Sequence, residues 1–220
     1  MPFPEQKRSF YREHGKRVFD FVCAGLGLLL LSPVLLVVAL AVKCSSRGPV
    51  FFTHQRVGKN GKTFLLWKFR SMVAGADQIG PEITCSGDDR VTPIGRYLRK
   101  WKLDELPQLW NVVRGDMSLV GPRPETLSHV QDYTPEQREV LSVRPGITDL
   151  AAIAYRHEEE LLATAKDAGE YYRQVVLPHK LSLNREYIAN LSLGFDLKLI
   201  FRTFKVISAS RPVPVEKSPR

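Results

Sequence analysis

A mostly helical α+β domain held at a membrane is predicted by three observations. An uncharged apolar run covers Phe21 to Val42, a β-hairpin pattern follows it, and two later segments carry apolar residues at helical spacing beside Lys and Arg. At 220 residues, 44% hydrophobic and 25% charged, the chain has the composition of one ordinary folded domain. Its charge is more informative. Residues 1–62 hold ten Lys and Arg against three Asp and Glu, and the rest holds 22 against 20, within a net +9. The positive excess therefore surrounds the apolar run, as contact with anionic headgroups requires, and a nucleic-acid surface is disfavoured.

The run would extend about 33 Å as a helix at ~1.5 Å per residue, enough to cross a bilayer. No small-residue cleavage pattern follows it, so it reads as retained and not as a secretory signal. Ser32-Pro33 sits in its middle, where proline removes a backbone donor and favours a kink. Lys7, Arg8, Arg12, Lys16 and Arg17 before it balance Lys43, Arg47, Arg56, Lys59 and Lys62 after it, so the positive-inside rule favours neither end. A kinked spanning helix and a helix that enters and returns both satisfy these facts.

After Gly48-Pro49, Val50–Thr53 and Thr63–Lys68 flank a Lys59-Asn60-Gly61-Lys62 turn signal and read as a hairpin. Ala74–Gly87 holds three glycines and a proline and reads as a loop. Thr92-Pro93 opens a helix with Ile94, Leu98 and Trp101 on one face and Arg96, Arg99, Lys100 and Lys102 around it. Such a helix could lie on the membrane or pack into the core. Asp104 then reads as the N-cap of a helix ending at Arg114, with Glu105 and Pro107 in its first turn and Gly115 closing it.

A polar helix over Thr134–Val143 leads into Arg144-Pro145-Gly146-Ile147-Thr148, read as a fixed turn. Glu158–Gln174 reads as a charged, solvated helix. Leu197, Ile200, Phe201, Phe204 and Ile207 form a second amphipathic face. Three prolines in Ser208–Arg220 predict a disordered tail. The predicted divisions are 1–47 for the N-terminal basic segment and membrane helix, 48–207 for a membrane-surface domain and 208–220 for the tail. Cys23, Cys44 and Cys85 form neither a disulfide framework nor a zinc pattern, and no phosphate-binding or dinucleotide loop or nucleophile elbow occurs.

Several motifs, in order, resemble the signature of the bacterial monotopic phosphoglycosyl transferases: Lys16-Arg17-Val18-Phe19-Asp20, Lys68-Phe69-Arg70-Ser71-Met72, Leu103-Asp104-Glu105-Leu106-Pro107-Gln108-Leu109, Gly115-Asp116-Met117-Ser118, Gly121-Pro122-Arg123-Pro124 and Arg144-Pro145-Gly146-Ile147-Thr148. The resemblance covers roughly Lys16 to Ile207. It implies a re-entrant N-terminal helix bent at Ser32 and Pro33, the small single-domain form, and a catalytic face on the cytoplasmic side of the bacterial inner membrane. It also implies transfer of a phosphosugar from a UDP-sugar to polyprenyl (undecaprenyl) phosphate, initiating surface-glycan synthesis.

By resemblance Asp104 and Glu105 are the catalytic dyad. Asp104 attacks the β-phosphorus and holds the phosphosugar covalently; Glu105 holds Mg²⁺, a hard ion suited to a carboxylate and phosphate oxygens. Arg99 and Arg123 clamp the diphosphate, and Lys68, Arg70 and Arg144 join them as substrate-binding candidates. The chain departs from the family at Asp149, where glycine is expected, and at Leu150-Ala151-Ala152, which puts sugar or nucleotide contacts by this loop in doubt. Membrane lipids are partners, and the exposed apolar faces leave a homo-oligomer open. A Mg²⁺-dependent hydrolase and a non-catalytic membrane scaffold are the alternatives from other classes.

Overall fold

The computed structural model describes residues 9–80 and 84–208. The proposed tail after Ser208, the flanking Lys7 and Arg8 and the proline at 81 lie outside them. The apolar run forms helix α1 (Lys16–Ser45), 30 residues and about 45 Å long, which continues without a break through Pro33. Pro33 has no N–H for the carbonyl of Leu29, and the Ser32 hydroxyl donates to that carbonyl instead, at 2.8 Å. With its preceding turn, α1 is the one helix among the described residues long and apolar enough to cross a membrane.

The predicted hairpin is β1 (Phe51–Val57) and β2 (Thr63–Phe69), antiparallel from Phe51 opposite Phe69 to Val57 opposite Thr63. Its first strand is longer than predicted because Arg56 and Val57 pair as well. The expected loop follows, and then α2 (Pro93–Lys100), capped as predicted by Thr92, whose side chain accepts from Gly95 N.

A second pair of strands is not predicted. β3 (Ser118–Val120) runs parallel to β4 (Gly146–Thr148), so the Arg144–Thr148 segment read as a turn is partly a strand. Glycine is required where the two chains cross: a Cβ on Gly146 would lie 2.1 Å from Gly121 N. The polar helix after Thr134 is a capped α-turn, α5 (Pro135–Arg138), behind the short α4 (Leu127–Gln131), and continues as a tighter turn.

The segment Glu158–Gln174 is not a single solvated helix. It breaks into α7 (Glu158–Ala163) and α8 (Ala168–Tyr171), and Leu162 and Tyr172 are buried. They join α6 (Leu150–Ala154), α9 (Leu177–Ala189) and α10 (Leu193–Ser208) around a core containing Val120, Val176, Leu181, Tyr187, Ile188 and Leu199.

Both halves of α1 dock on this body. Ala24 packs with Leu66, Val112 and Met117, while Val38 and Val42 pack with Phe69 and Leu98. Polar contacts fix each end. Arg17 donates to the carbonyls of Val112 and Val113 at 2.6 and 2.7 Å, Asp20 accepts from Ser118 Oγ and Leu119 N at 3.0 Å, and Lys16 pairs with buried Asp196 at 2.6 Å. At the far end, the buried Arg70 guanidinium donates to the carbonyls of Ser46 and Arg47, 2.8 and 3.1 Å away.

Candidate active site

The dyad sits where α2 gives way to the next helix. Lys102 adopts a left-handed conformation (φ 56°) and reverses the chain, Leu103–Glu105 form one tight turn, and α3 (Gln108–Arg114) follows. Asp104 is therefore not the cap of a helix running to Arg114, because α3 begins four residues later. The predicted stop is correct: Gly115 closes α3 at φ 91°. Asn111 ties α3 to the hairpin edge, accepting from Trp67 N at 3.1 Å and donating to Leu65 O at 2.8 Å. That seam fixes the dyad beside Lys68 on β2.

Both carboxylates are buried, but their surroundings differ. Glu105 is held on both oxygens: Oε1 accepts from Arg123 Nη2 at 2.7 Å and Lys68 Nζ at 3.3 Å, and Oε2 from Arg123 Nη1 at 3.1 Å and Gln108 Nε2 at 3.2 Å. Asp104 Oδ1 is buried and has no hydrogen-bond partner among the described residues. The acidities separate accordingly. Burial, then the adjacent Glu105 charge, raise Asp104 above the usual range. Burial opposes ionisation of Glu105 too, but the charges of Arg123 and Lys68 outweigh it and hold that carboxyl well below its usual range. Arg123 is raised in turn by Glu105, and burial lowers Lys68.

Of the predicted substrate ligands, the structure brings Lys68 and Arg123 to the dyad. Arg99 faces the same cavity of about 2080 Å³ and pairs with Glu159 at the start of α7. Arg70 is committed to the end of α1, and Arg144 Nε donates to Gly115 O at 2.9 Å behind α3. These two guanidiniums brace the scaffold, a role that a basic motif in sequence does not distinguish from phosphate binding.

Asp149, the position of departure, has a structural task. Fully buried, it N-caps α6 through Ala152 N and accepts from the backbone N–H of Arg123 at 2.9 Å. It thereby fixes the loop that carries the arginine clamp. A carboxylate at the start of a helical stretch was the available signal; its reach to Arg123, 26 residues away, was not legible.

The donor set suits a hard divalent ion that keeps substrate oxygens as ligands. Mg²⁺ is commonly held by only one or two carboxylates with phosphate and water, and Asp104 Oδ1 is a buried oxygen without a protein partner. Glu105 would have to exchange contacts with Arg123 or Lys68 to bind the ion.

A buried carboxylate pair, with one member clamped by cations, opens on a cavity that a long apolar helix also lines. The chain belongs to the family described as bacterial sugar transferase, whose sequence model matches residues 11–210. It is 42% identical over 197 residues to the UDP-glucose:undecaprenyl-phosphate glucose-1-phosphate transferase of Escherichia coli K12, covering 86% of this chain and 39% of that protein. It is 38% identical to the UDP-N-acetylgalactosamine-undecaprenyl-phosphate N-acetylgalactosaminephosphotransferase of Aeromonas hydrophila, covering 87% of this chain and 43% of the relative. The chain thus spans about two fifths of those relatives. The exopolysaccharide production protein ExoY of Rhizobium meliloti is 35% identical, with 89% of this chain and 86% of ExoY covered.

Proposed function

We propose that this chain transfers a sugar phosphate from a UDP-sugar to polyprenyl (undecaprenyl) phosphate at the cytoplasmic face of a bacterial inner membrane, starting surface-glycan assembly. The observation that carries the mechanism is the unpartnered Asp104 oxygen beside a fully engaged Glu105. An oxygen of Asp104 attacks the β-phosphorus, the bond to the bridging oxygen breaks, and UMP leaves with that bond's electron pair. An acyl phosphate carrying the sugar remains on Asp104. A phosphate oxygen of the polyprenyl phosphate then attacks the same phosphorus, the acyl bond breaks, and polyprenyl-diphosphate-sugar departs as the carboxylate is restored.

Anionic nucleophiles attack an anionic centre in both steps, so charge must be balanced. Arg123 and Lys68 stand at the reacting carboxylates, and Arg99 lies on the cavity wall where the diphosphate would extend. Mg²⁺, held by Glu105 and substrate oxygens, would supply further neutralisation of the diphosphate.

The docking of both halves of α1 on one body supports a re-entrant reading, since a helix whose two ends hold the same domain does not carry one of them across a bilayer. The exposed Tyr97 and Trp110 near the dyad, with Phe201 and Phe204 on α10, suit burial among headgroups. The test is intact-protein mass after incubation with UDP-sugars and Mg²⁺ but no acceptor. A gain of one phosphosugar in the wild type and none in Asp104→Asn is expected; product formed only by direct transfer, with no adduct, rules out the covalent route.

A further inference from the structure

Two adjacent carboxylates at the start of α7 hold two cations on the wall of the cavity. Glu158 pairs with Lys180 of α9 at 2.6 Å, and Glu159 pairs with Arg99 of α2. All four residues line the cavity that contains the dyad. The dyad's own cations, Lys68 and Arg123, are committed to Glu105.

The two pairs differ in how firmly they are made. The Lys180 side chain is 8% exposed and its ammonium lies 5.0 Å from the Tyr172 ring, so parting it from Glu158 would leave a buried charge uncompensated. The Glu159 side chain is 44% exposed and that of Arg99 21%. Such an exposed pair contributes only about 0–1 kcal/mol, because water solvates each partner once they separate. Glu158 is therefore a fixed pin and Glu159 an exchangeable one.

Helix α7 does not depend on the Glu159 side chain for its place. Leu162 is buried in the core, Glu158 is pinned to α9, and the backbone carbonyl of Glu159 accepts from Ser86 N at 3.1 Å. The side chain can swing into solvent while the backbone stays where it is.

A carboxylate on a guanidinium uses the same N–H donors that a phosphate oxygen would take. Arg96, Lys100 and Lys102 line the same cavity as Arg99. A diphosphate, with more than one negative charge, gains more from this group of cations than the single charge of Glu159 does. Charge therefore decides which of the two anions holds Arg99 when both are present.

We infer that Glu159 is a built-in competitor for Arg99: it holds the guanidinium when no donor is bound and yields it to the donor's diphosphate. The inference deepens the proposed function and rests on its assignment of Arg99 to the diphosphate. Glu159 thus sets donor affinity without touching substrate, as a positioning residue acting through Arg99. Its return to Arg99 assists the departure of UMP.

The test is calorimetric titration of UDP, with Mg²⁺, into the full chain in nanodiscs. Glu159→Gln should tighten UDP about three- to fivefold; fivefold corresponds to about 1 kcal/mol, the upper end for an exposed pair. Glu160→Gln removes the neighbouring carboxylate, which pairs with His157, and should bind UDP as the wild type does. Arg99→Met should weaken UDP binding and abolish the effect of Glu159→Gln in the double variant. Weaker or unchanged binding by Glu159→Gln would make Glu159 a support for Arg99 and overturn the exchange. An equal gain in Glu160→Gln, which would reduce the effect to the general field of the acidic segment, or a gain that persists beside Arg99→Met, would overturn it too. Titration needs no turnover, so the expected pattern without any lipid-linked product would uphold the exchange and strike only the transferase reading.

Discussion

Arg123 grips Glu105 with both arms of its guanidinium, Nη2 at 2.7 Å from Oε1 and Nη1 at 3.1 Å from Oε2, and makes no such bond to Asp104 next door. Neighbours in sequence are thereby given different chemistry. One is a carboxylate engaged on both oxygens, and the other keeps a buried oxygen with no hydrogen-bond partner among the described residues.

Replacing Asp104 with Asn should separate stability from turnover. Because Oδ1 has no partner to lose and burial disfavours its charge, Asp104→Asn should keep the wild-type melting temperature or raise it. Transfer should fall at least ~10³-fold. Thermal denaturation beside a radiolabelled-product assay checks both; a variant with wild-type turnover removes Asp104 from the chemistry.

Arg123→Lys retains a positive charge and loses the two-pronged geometry. On the order of 10²-fold loss in kcat/KM for the donor is expected, since a lysine ammonium cannot engage both Glu105 oxygens in plane. Steady-state kinetics with donor varied at saturating acceptor measures it, and a value near wild type would show that charge alone suffices.

The acid limb of the rate should report Asp104. Its folded-state pKa is raised, by burial first and Glu105 second, so activity that needs the carboxylate should fade on acidification at a pH above the ordinary aspartate range of about 3.9. Lys68 is the first of the cations that pull this pKa down, and Lys68→Met should move the limb to still higher pH. Profiles of kcat/KM for the two proteins that superimpose would exclude this coupling.

Asp149→Ala should act at a distance. It leaves the N–H groups of Arg123 and Ala152 without their acceptor, a loss of roughly 2 kcal/mol in stability. The donor KM should rise as well, since the Arg123 loop loses its tether. Asp149→Asn, which retains an acceptor oxygen, should recover much of the stability. A donor KM unaffected in the alanine variant would confine Asp149 to capping α6.

Glu125 should govern acid stability behind the site. Burial would raise its pKa, but His129, Lys180, Arg56 and Tyr172 outweigh that and bring it to about 2. A carboxyl lower in the folded than in the unfolded state stabilises above the unfolded value of 4.5 and loses that contribution as pH falls towards 2. The amount is of order 3 kcal/mol at ~1.36 kcal/mol per unit. Urea midpoints at pH 5 and pH 3 should differ less in Glu125→Gln than in wild type.

What the sequence made legible was local. Thr92-Pro93, the Gly115 stop and the hairpin turn each depend on a few adjacent residues, and all three hold in the structure. The parallel pair was not legible because its strands have three residues each, too few for a period of two to stand out in the sequence. Helix α9 was missed for another reason: it buries Lys180 and Asn184 along with its apolar residues, so no clean stripe marks it. Lys180 is tolerated there because Glu158 lies 2.6 Å away and the Tyr172 ring 5.0 Å from its ammonium. In the site, the dyad, Lys68 and Arg123 were named through motif resemblance, whereas the scaffold roles of Arg70 and Arg144 follow from carbonyls distant in sequence.

The way α1 is held has a consequence for making the protein. Ala24 and Val42 are wholly buried against the body, and Arg17 and Asp20 complete the ends of α3 and β3. Deleting the first 47 residues would uncover Leu66, Val112, Phe69 and Leu98 and take the acceptors from Leu119 N and the Arg70 guanidinium. A water-soluble enzyme will therefore not be obtained by trimming the anchor; solubility has to be engineered on the outward face of α1, at Leu29, Leu30, Leu36 and Val37, with the helix left in place.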